Sequence, residues 1–215
     1  MTRIIRIYAD KYIFYNKICV NLFNLRHLRA KKSKMKITNQ PQIPGLKILQ
    51  PNIHNDDRGY FFESYNYETF KTLDIEDVFV QDNQSYSKKN VIRGLHLQVP
   101  PFAQAKLVRV IKGAVLDVAV DIRKESPTYG QHFSVVLSEE NQLQFYIPVG
   151  FAHGFAALED HTIFAYKCSN IYHKDSERSI LFNDKDLNIH WNIENPIVTN
   201  KDLQAICFKD FISPF

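Results

Sequence analysis

The sequence has few cysteines, and their spacing excludes two kinds of site. Its 215 residues include only Cys19, Cys168 and Cys207, an odd number with no CxxC pair. Disulfide frameworks and structural zinc sites both require cysteines in pairs at short spacings. Neither is therefore expected, and the cytoplasm, where thiols stay reduced, is the compartment we expect.

Long apolar runs are also missing. No segment approaches the roughly 20 apolar residues that a membrane-spanning helix needs, and no small-residue cleavage site follows a hydrophobic core as it does in a secretory signal. The sequence has no repeat of fixed period and no low-complexity tract. With 45% hydrophobic residues, it predicts one globular domain and no membrane partner.

Acidic residues are nearly absent from the first 36 positions. This stretch holds ten Lys or Arg against Asp10, a net charge of +9; since the whole chain carries +4, the remainder carries −5. Phosphate-backbone binding needs a basic face, so the acidic body predicts no nucleic-acid partner. We interpret residues 1–34 as a basic extension outside a single domain, 35–215, and Met35 fits an upstream start. A transit peptide or a membrane-surface arm are the other interpretations.

Short strands dominate the predicted secondary structure. Residues two apart share one face of a strand, so His96 points with Gln98, and Lys106 points with Val108 and Val110. Further strands are predicted at Tyr60–Tyr65, Phe79–Ser85, Phe133–Leu137, Gln144–Pro148, Gly154–Leu158 and Thr162–Cys168, with one short helix at Glu68–Leu73. Near-regular short strands separated by turn signals are typical of an all-β sandwich or barrel.

Seven segments, in order along the chain, carry a resemblance to a known family. They are Asp57–Phe61 (DRGYF), Phe79–Asn83 (FVQDN), Arg93–His96 (RGLH), Ala103–Arg109 (AQAKLVR), Asp117–Arg123 (DVAVDIR), Ser126–Gly130 (SPTYG) and Gly150–Phe155 (GFAHGF). Through them the chain resembles the dTDP-4-dehydrorhamnose 3,5-epimerase family of cupin-fold sugar-nucleotide epimerases, from about Leu46 to about Asp202. The resemblance implies an all-β, cupin-type jelly-roll barrel with short peripheral helices, usually a homodimer.

The resemblance also implies a reaction. The expected one is epimerisation at C3 and C5 of dTDP-4-dehydro-6-deoxy-D-glucose to dTDP-4-dehydro-L-rhamnose, by proton abstraction and reprotonation next to the 4-keto group. No cofactor is expected, because the ketone already acidifies the neighbouring C–H bonds. A C3-only epimerase or a ketoisomerase on a related dTDP-4-keto-6-deoxyhexose is the alternative of the same kind. A metal-binding cupin oxygenase and a non-catalytic sugar-nucleotide-binding protein are alternatives of other classes.

Four residues are candidates for the chemistry. The reaction needs a base, an acid on the opposite side and a group that stabilises an enolate. The family position of the base is His96, whose imidazole titrates nearest neutrality, and the family partner that orients it is Asp202. The implied acid is Tyr166, and Lys106 would stabilise the enolate oxygen. A structural histidine, a solvated loop aspartate, a core tyrosine and a strand-end lysine that reaches water are the ordinary alternatives.

The nucleotide requires cations for its diphosphate and flat or amide groups for thymine. Arginine matches phosphate through its bidentate fork. The ligand-contact positions of the family correspond to Arg58, Glu63, Gln81, Asp82, Asn83, Arg93, His153, Glu177 and Lys201, and Tyr172 fits a stacking platform for the base.

A metal site is the alternative that the sequence argues against. Pro148–His153 resembles the second motif of metal-binding cupins, whose first motif has two histidines one residue apart and a glutamate beyond them. Here Gln98 takes the second histidine position, and no glutamate follows before Glu125. Because this carboxylate is missing, we expect no metal.

Overall fold

Strands are the main regular secondary structure of the described residues. The computed structural model describes residues 35–39 and 42–215, so the predicted extension 1–34 lies outside the described residues, and the domain boundary beside it stays a prediction. The strands are Lys36–Asn39 (β1), Lys47–Gln50 (β2), His54–Asp56 (β3), Gly59–Phe61 (β4), Gln81–Ser87 (β5), Ile92–Gln98 (β6), Lys106–Lys112 (β7), Ala114–Asp121 (β8), His132–Ser138 (β9), Gln144–Ile147 (β10), Phe151–Ala157 (β11), Thr162–Cys168 (β12) and Glu177–Ser179 (β13).

Helices are short and peripheral. Among residues 35–39 and 42–215, the α-helices are Tyr67–Lys71 (α1) and Asn200–Leu203 (α2), and 3-10 helices span Lys174–Ser176 and Phe208–Asp210. Within the part of the chain that the structure describes, no helix has the length and apolarity needed to cross a membrane.

Two antiparallel sheets form the barrel. The six-stranded sheet has the order β1-β2-β10-β7-β12-β5, and the five-stranded sheet has the order β13-β6-β11-β8-β9; β3 and β4 form a separate hairpin. Strands that neighbour in a sheet are mostly distant in sequence, as in a jelly roll. The predicted all-β jelly-roll barrel with short peripheral helices is confirmed.

Three apolar clusters fill the spaces inside and outside the barrel. The inner cluster joins both sheets and includes Val108 and Phe164 from one, with Phe155 from the other. A second cluster packs the outer face of the five-stranded sheet against the C-terminal segment around Trp191. A third covers the outer face of the six-stranded sheet with the segment that contains Phe70. Alternate residues of each strand therefore face opposite sides: one set lines the barrel interior, and the other packs against the segments outside it.

The segment before β5 differs most from the prediction. The predicted strand Tyr60–Tyr65 is a strand only as far as Phe61, because the chain then turns across the outer sheet face, where Tyr65 packs on the rings of Phe70 and Phe79. The predicted helix Glu68–Leu73 is α1, capped by Asn66, whose side chain accepts a hydrogen bond from the Thr69 N–H. Tertiary packing, rather than strand propensity, decides this segment.

Candidate active site

Two glycines bring β6 and β11 unusually close together. A Cβ atom added to Gly94, which has a φ of +144°, would lie 2.5 Å from the Cα of Gly154, and one added to Gly154 would lie 2.9 Å from the Arg93 carbonyl oxygen. Real Cβ atoms do not approach other atoms so closely, so both positions require glycine. This contact pairs His96 directly with His153 across the two strands.

The first histidine forms a pair with a buried carboxylate. His96 Nε2 lies 2.7 Å from Asp202 Oδ1, and Asp202 is 2% exposed. Helix α2 holds this aspartate, and its N-cap Thr199 accepts a hydrogen bond from the Asp202 N–H. Burial acts to raise the pKa of Asp202, but the hydrogen bond and charge of His96, together with hydrogen bonds from the Gly94 backbone and Thr199, outweigh it, and the pKa lies below its usual value. The carboxylate is therefore ionised and fixes the orientation of the imidazole.

The second histidine forms a similar pair with a carboxylate that the sequence analysis did not name as a site residue. His153 Nε2 lies 3.0 Å from each carboxylate oxygen of Asp117, and Asp117 is fully buried on β8. Burial lowers the pKa of His153, although Asp117 opposes the shift. The available signal was a carboxylate between apolar neighbours in the strand, since a buried charge needs a partner.

Lys106 and Tyr166 face the histidines from the six-stranded sheet. In the pairing of β7 with β12, Lys106 is opposite Cys168, and Tyr166 is opposite Val108. The Lys106 ammonium donates to the His96 carbonyl oxygen at 3.5 Å, and no ion pair to Lys106 occurs within the described residues. Burial lowers the pKa of Lys106 and raises the pKa of Tyr166. A lysine without an ion-pair partner among the described residues and a neutral phenol thus lie in the same interior.

A second group of polar residues continues outward from the barrel. Gln81 Nε2 donates to Asn83 Oδ1 at 3.0 Å, and Gln81 Oε1 accepts from the Tyr172 N–H at 2.8 Å. The hydroxyl of Tyr172 donates to Glu177 Oε2 at 3.0 Å, and Lys201 forms an ion pair with the same oxygen at 2.5 Å. These five residues, all predicted ligand contacts, are linked into one network.

Arg93 borders this interior from β6. Its guanidinium donates to Ser87 Oγ at 3.2 Å and to the Tyr86 carbonyl oxygen at 3.1 Å. Its charge acts on Tyr166, opposing the effect of burial on the pKa of that phenol. Arg93 therefore lies within electrostatic reach of the predicted acid.

Three predicted ligand residues are not brought to this group. Asp82 lies on the opposite face of β5 from Gln81 and forms an ion pair with Lys167 at 2.8 Å. Arg58 is 89% exposed on the β3–β4 hairpin, where it pairs with Asp56. Glu63 accepts hydrogen bonds from Asn66 and Thr69 beside α1. Within this chain these three side chains form local contacts.

The residues that a metal-binding cupin would use have other partners here. Gln98 donates to two backbone carbonyl groups, and both histidines bind carboxylates. Across residues 35–39 and 42–215, no three His, Cys, Asp or Glu side chains converge as metal ligands would. The absence of a metal remains a prediction.

Comparison with known proteins agrees with this geometry. The sequence model of the dTDP-4-dehydrorhamnose 3,5-epimerase family matches residues 40–210. The dTDP-4-dehydrorhamnose 3,5-epimerase of Salmonella typhimurium is 53% identical over 173 residues, which cover 80% of this chain and 94% of that protein. A crystal structure of the dTDP-6-deoxy-D-glucose-3,5-epimerase of Legionella pneumophila in complex with dTDP-4-keto-L-rhamnose superposes with a TM-score of 0.79 at 48% identity. It covers 83% of this chain and 95% of its own.

A relative with a different printed activity has the same fold. The 3'-monoepimerase of Streptomyces bikiniensis, solved in complex with dTDP-quinovose, is 32% identical with a TM-score of 0.74, covering 78% of this chain and 86% of its own. The fold alone therefore does not distinguish one epimerised carbon from two.

The fold and the acid–base groups inside it define the class: a jelly-roll isomerase that works by proton transfer. The extent and identity of the matches make the assignment more specific. The chain belongs to the dTDP-4-dehydrorhamnose 3,5-epimerase family.

Proposed function

We propose that this chain epimerises C3 and C5 of dTDP-4-dehydro-6-deoxy-D-glucose, giving dTDP-4-dehydro-L-rhamnose. The observation that carries the proposal is the arrangement of His96 on one sheet, paired with Asp202 from α2, and of Lys106 with Tyr166 on the facing sheet. Inverting a carbon requires a proton to leave from one face and another to arrive at the other. A base and an acid on facing sheets meet this requirement.

Each side chain has one proposed task. Asp202 occupies Nε2 of His96, so that Nδ1 is free to take the proton from the carbon next to the ketone. The ammonium of Lys106 stabilises the enolate oxygen that results, and its effect is large because the surroundings are apolar. The hydroxyl of Tyr166 returns a proton to the opposite face. His153, held by Asp117, is proposed to contact the sugar next to His96.

The outer network is the proposed nucleotide site. Arg93 and Lys201 supply positive charge for the diphosphate, and the Tyr172 ring supplies a flat surface for thymine. Gln81, Asn83 and Glu177 connect these groups. Burial acts to raise the pKa of Glu177, but its hydrogen bonds with Lys201 and Tyr172 lower the pKa below its usual value.

The positions of Arg58 and Glu63 support a homodimer. If both contact the substrate, as the resemblance implies, they must reach the site of another copy, because in their own chain they bind local partners. The β3–β4 hairpin, which carries Arg58, exposes 58% of Tyr60 and 72% of Phe61, which is a large apolar surface for a short element. The proposed assembly is a homodimer in which each hairpin reaches the partner's site.

A cytoplasmic location also remains a prediction.

Proton NMR in deuterated water tests the reaction. The experiment follows the C3 and C5 signals of dTDP-4-keto-6-deoxyglucose incubated with the protein. Loss of both signals is the expected result, because each epimerised carbon exchanges its proton with solvent. Loss at C3 alone would select the C3-epimerase, to which the Streptomyces bikiniensis relative lends support. Persistence of both signals would contradict proton abstraction from this substrate.

A further inference from the structure

Gln98 is a buried glutamine whose side-chain amide is fully used by two loops. It lies at the end of β6 and is 6% exposed. Its Nε2 donates to the Phe102 carbonyl oxygen at 2.7 Å and to the Ile171 carbonyl oxygen at 3.1 Å. Its Oε1 accepts from the His173 N–H at 2.7 Å. Both amide protons and the carbonyl oxygen are therefore engaged.

The contacts with Ile171 and His173 lie on either side of Tyr172 in the sequence. Ile171 and His173 are the immediate neighbours of Tyr172, and Gln98 binds the backbone of both. The intervening Tyr172 N–H donates to Gln81 Oε1. Glutamines from the two facing sheets thus hold three consecutive residues of one loop, whereas the Tyr172 ring itself is largely exposed. The direction of that ring follows from the backbone that carries it.

The remaining contact of Gln98, to the Phe102 carbonyl oxygen, connects the loop that contains Phe102 to the 171–173 loop. The Phe102 ring stacks on the His173 ring with centroids 4.0 Å apart and planes 6° from parallel. Gln98 binds the backbone of both residues. A single side chain therefore sets the spacing of the two loops beside Tyr172.

We propose that Gln98 is a positioning residue for nucleotide recognition: it holds the 171–173 backbone so that the Tyr172 ring is in place before the base arrives. Without the amide, two carbonyl groups and one N–H lose their partner, and the loop must be ordered when the nucleotide binds. Binding should weaken while the chemistry at His96, Lys106 and Tyr166 continues. This inference rests on the proposed function, since it assumes that Tyr172 contacts the base.

The test compares Gln98→Met, which keeps the length of the side chain but forms none of these hydrogen bonds, with the wild-type chain. Calorimetry measures the Kd for dTDP, and steady-state kinetics measure KM and kcat separately. We expect the Kd and the KM to rise by roughly 10- to 30-fold, the size expected when two or three hydrogen bonds are lost, and kcat to change by less than about threefold. A fall in kcat with unchanged Kd and KM would contradict a positioning role.

Gln144→Met is the matched control. Gln144 is also a buried glutamine, but its Nε2 donates to the Ser64 carbonyl oxygen on the outer sheet face. This control should lower thermal stability without changing the Kd for dTDP. An equal rise of Kd in both variants would mean that general destabilisation causes the effect, and would overturn the inference.

A double variant shows whether Gln98 acts through Tyr172. In a Tyr172→Ala background the platform is absent, so adding Gln98→Met should raise the Kd by less than about twofold. Multiplication of the two separate effects would contradict the mechanism. If Gln98→Met does not fold, Gln98→Asn replaces it, because its shorter amide cannot reach both loops.

Binding of dTDP to the wild-type chain distinguishes failure of the proposed function from failure of the positioning role. If it does not bind dTDP, the proposed function fails. If it binds dTDP and the Gln98 variants bind equally well, only the positioning role fails.

Discussion

Each catalytic candidate depends on a partner from another part of the chain. His96 is separated by 106 positions from Asp202, and Lys106 faces Cys168 across two strands. Asp202 orients the imidazole of His96, and burial lowers the pKa of Lys106 although the charge of Cys168 opposes the shift. Functional effects at the residue scale should therefore follow the pairs rather than single side chains.

Replacing Asp202 by Asn should remove most activity with little effect on binding. The amide cannot hold a protonated His96, so the base loses the charge that stabilises its imidazolium. We expect kcat to fall by about 10²- to 10⁴-fold, the range of a general base, with KM changed by less than about threefold. Steady-state kinetics and the deuterium exchange at C3 would check this. An unchanged kcat in a folded variant would exclude the His96–Asp202 pair from the reaction.

Replacing Lys106 by Met should reduce kcat by about 10²- to 10³-fold, because the enolate oxygen loses its cation. Burial lowers the pKa of Lys106, so the wild-type ammonium is lost at a lower pH than in an exposed lysine. The wild-type kcat should consequently decline on the alkaline side, and this decline should be absent from the residual activity of Lys106→Met. A pH profile of kcat for both proteins measures the difference; identical profiles would assign the alkaline decline to another group.

The limits of sequence reasoning at this scale are visible in two aspartates. Asp202 was expected at the site from the resemblance, and it lies 2.7 Å from His96. Asp117 was noted only as the first residue of the segment Asp117–Arg123, and no role was predicted for it. Alternation shows which residues share a face, but not which histidine a neighbouring strand brings across from them. That contact depends on the register between β8 and β11.

At the scale of elements, the strands were predictable wherever two sheet faces differ in chemistry. The run from Thr162 to Cys168 was predicted from alternation and is β12 with the same bounds. The segment Phe62–Asn66 was not predictable, because its conformation depends on the outer sheet face beneath it. Alternation in β5 places Asp82 and Gln81 on opposite faces. The resemblance implies ligand contact for both residues and so did not show this separation.

The contact between β6 and β11 should be sensitive to a single methyl group. Gly154→Ala would place its Cβ 2.9 Å from the Arg93 carbonyl oxygen, so the strands must separate. We expect a loss of about 1–3 kcal/mol in the free energy of unfolding and a fall in kcat of at least about tenfold, since His96 and His153 both move. Urea unfolding and kinetics measure the two effects. Wild-type values for both would show that the strands can separate without consequence.

The loop after β8 should make stability depend on acid pH. Burial acts to raise the pKa of Asp121, but hydrogen bonds from Arg123, Ser126 and Thr128 outweigh it and lower the pKa to about 2. Because the folded pKa lies below the unfolded value, this stabilisation is present above pH 4 and disappears as the pH falls towards 2. It amounts to about 2 kcal/mol at neutral pH.

Asp121→Asn should therefore lower the free energy of unfolding by about 2 kcal/mol or more at pH 7, and by much less near pH 2. Urea unfolding at several pH values tests this, with Asp210→Asn as the control because Asp210 is exposed. An effect of equal size at both pH values would rule out ionisation of Asp121 as its source.

At the scale of the whole molecule, the β3–β4 hairpin is the feature that a single subunit does not explain. It carries Arg58 with 89% of its side chain exposed, beside two exposed aromatic rings. A closed homodimer would use the same hairpin twice, once at each site. His96 and Asp202 pair within one chain, whereas Arg58 is proposed to act in the partner's site. Dimers of two different variants should therefore regain activity for some combinations and not for others.

Mixed dimers of two variants test whether Arg58 acts in its own site or in the partner's. Arg58→Ala and His96→Ala should each be nearly inactive, but in a dimer with one chain of each kind, the chain with wild-type His96 receives the wild-type hairpin of its partner. One site in that dimer is complete. Random assortment of equal amounts should restore about a quarter of wild-type activity, because half of the dimers are mixed and each has one working site.

The control mixture is His96→Ala with Asp202→Asn. Both changes affect the same intrachain pair, so neither site of a mixed dimer contains an intact pair, and activity should stay near that of the separate variants. Co-expression with two different affinity tags allows the mixed dimers to be purified before assay. Recovery in the first mixture but not in the second would assign Arg58 to the partner's site. Failure of both mixtures, with mixed dimers present, would show that Arg58 acts within its own chain.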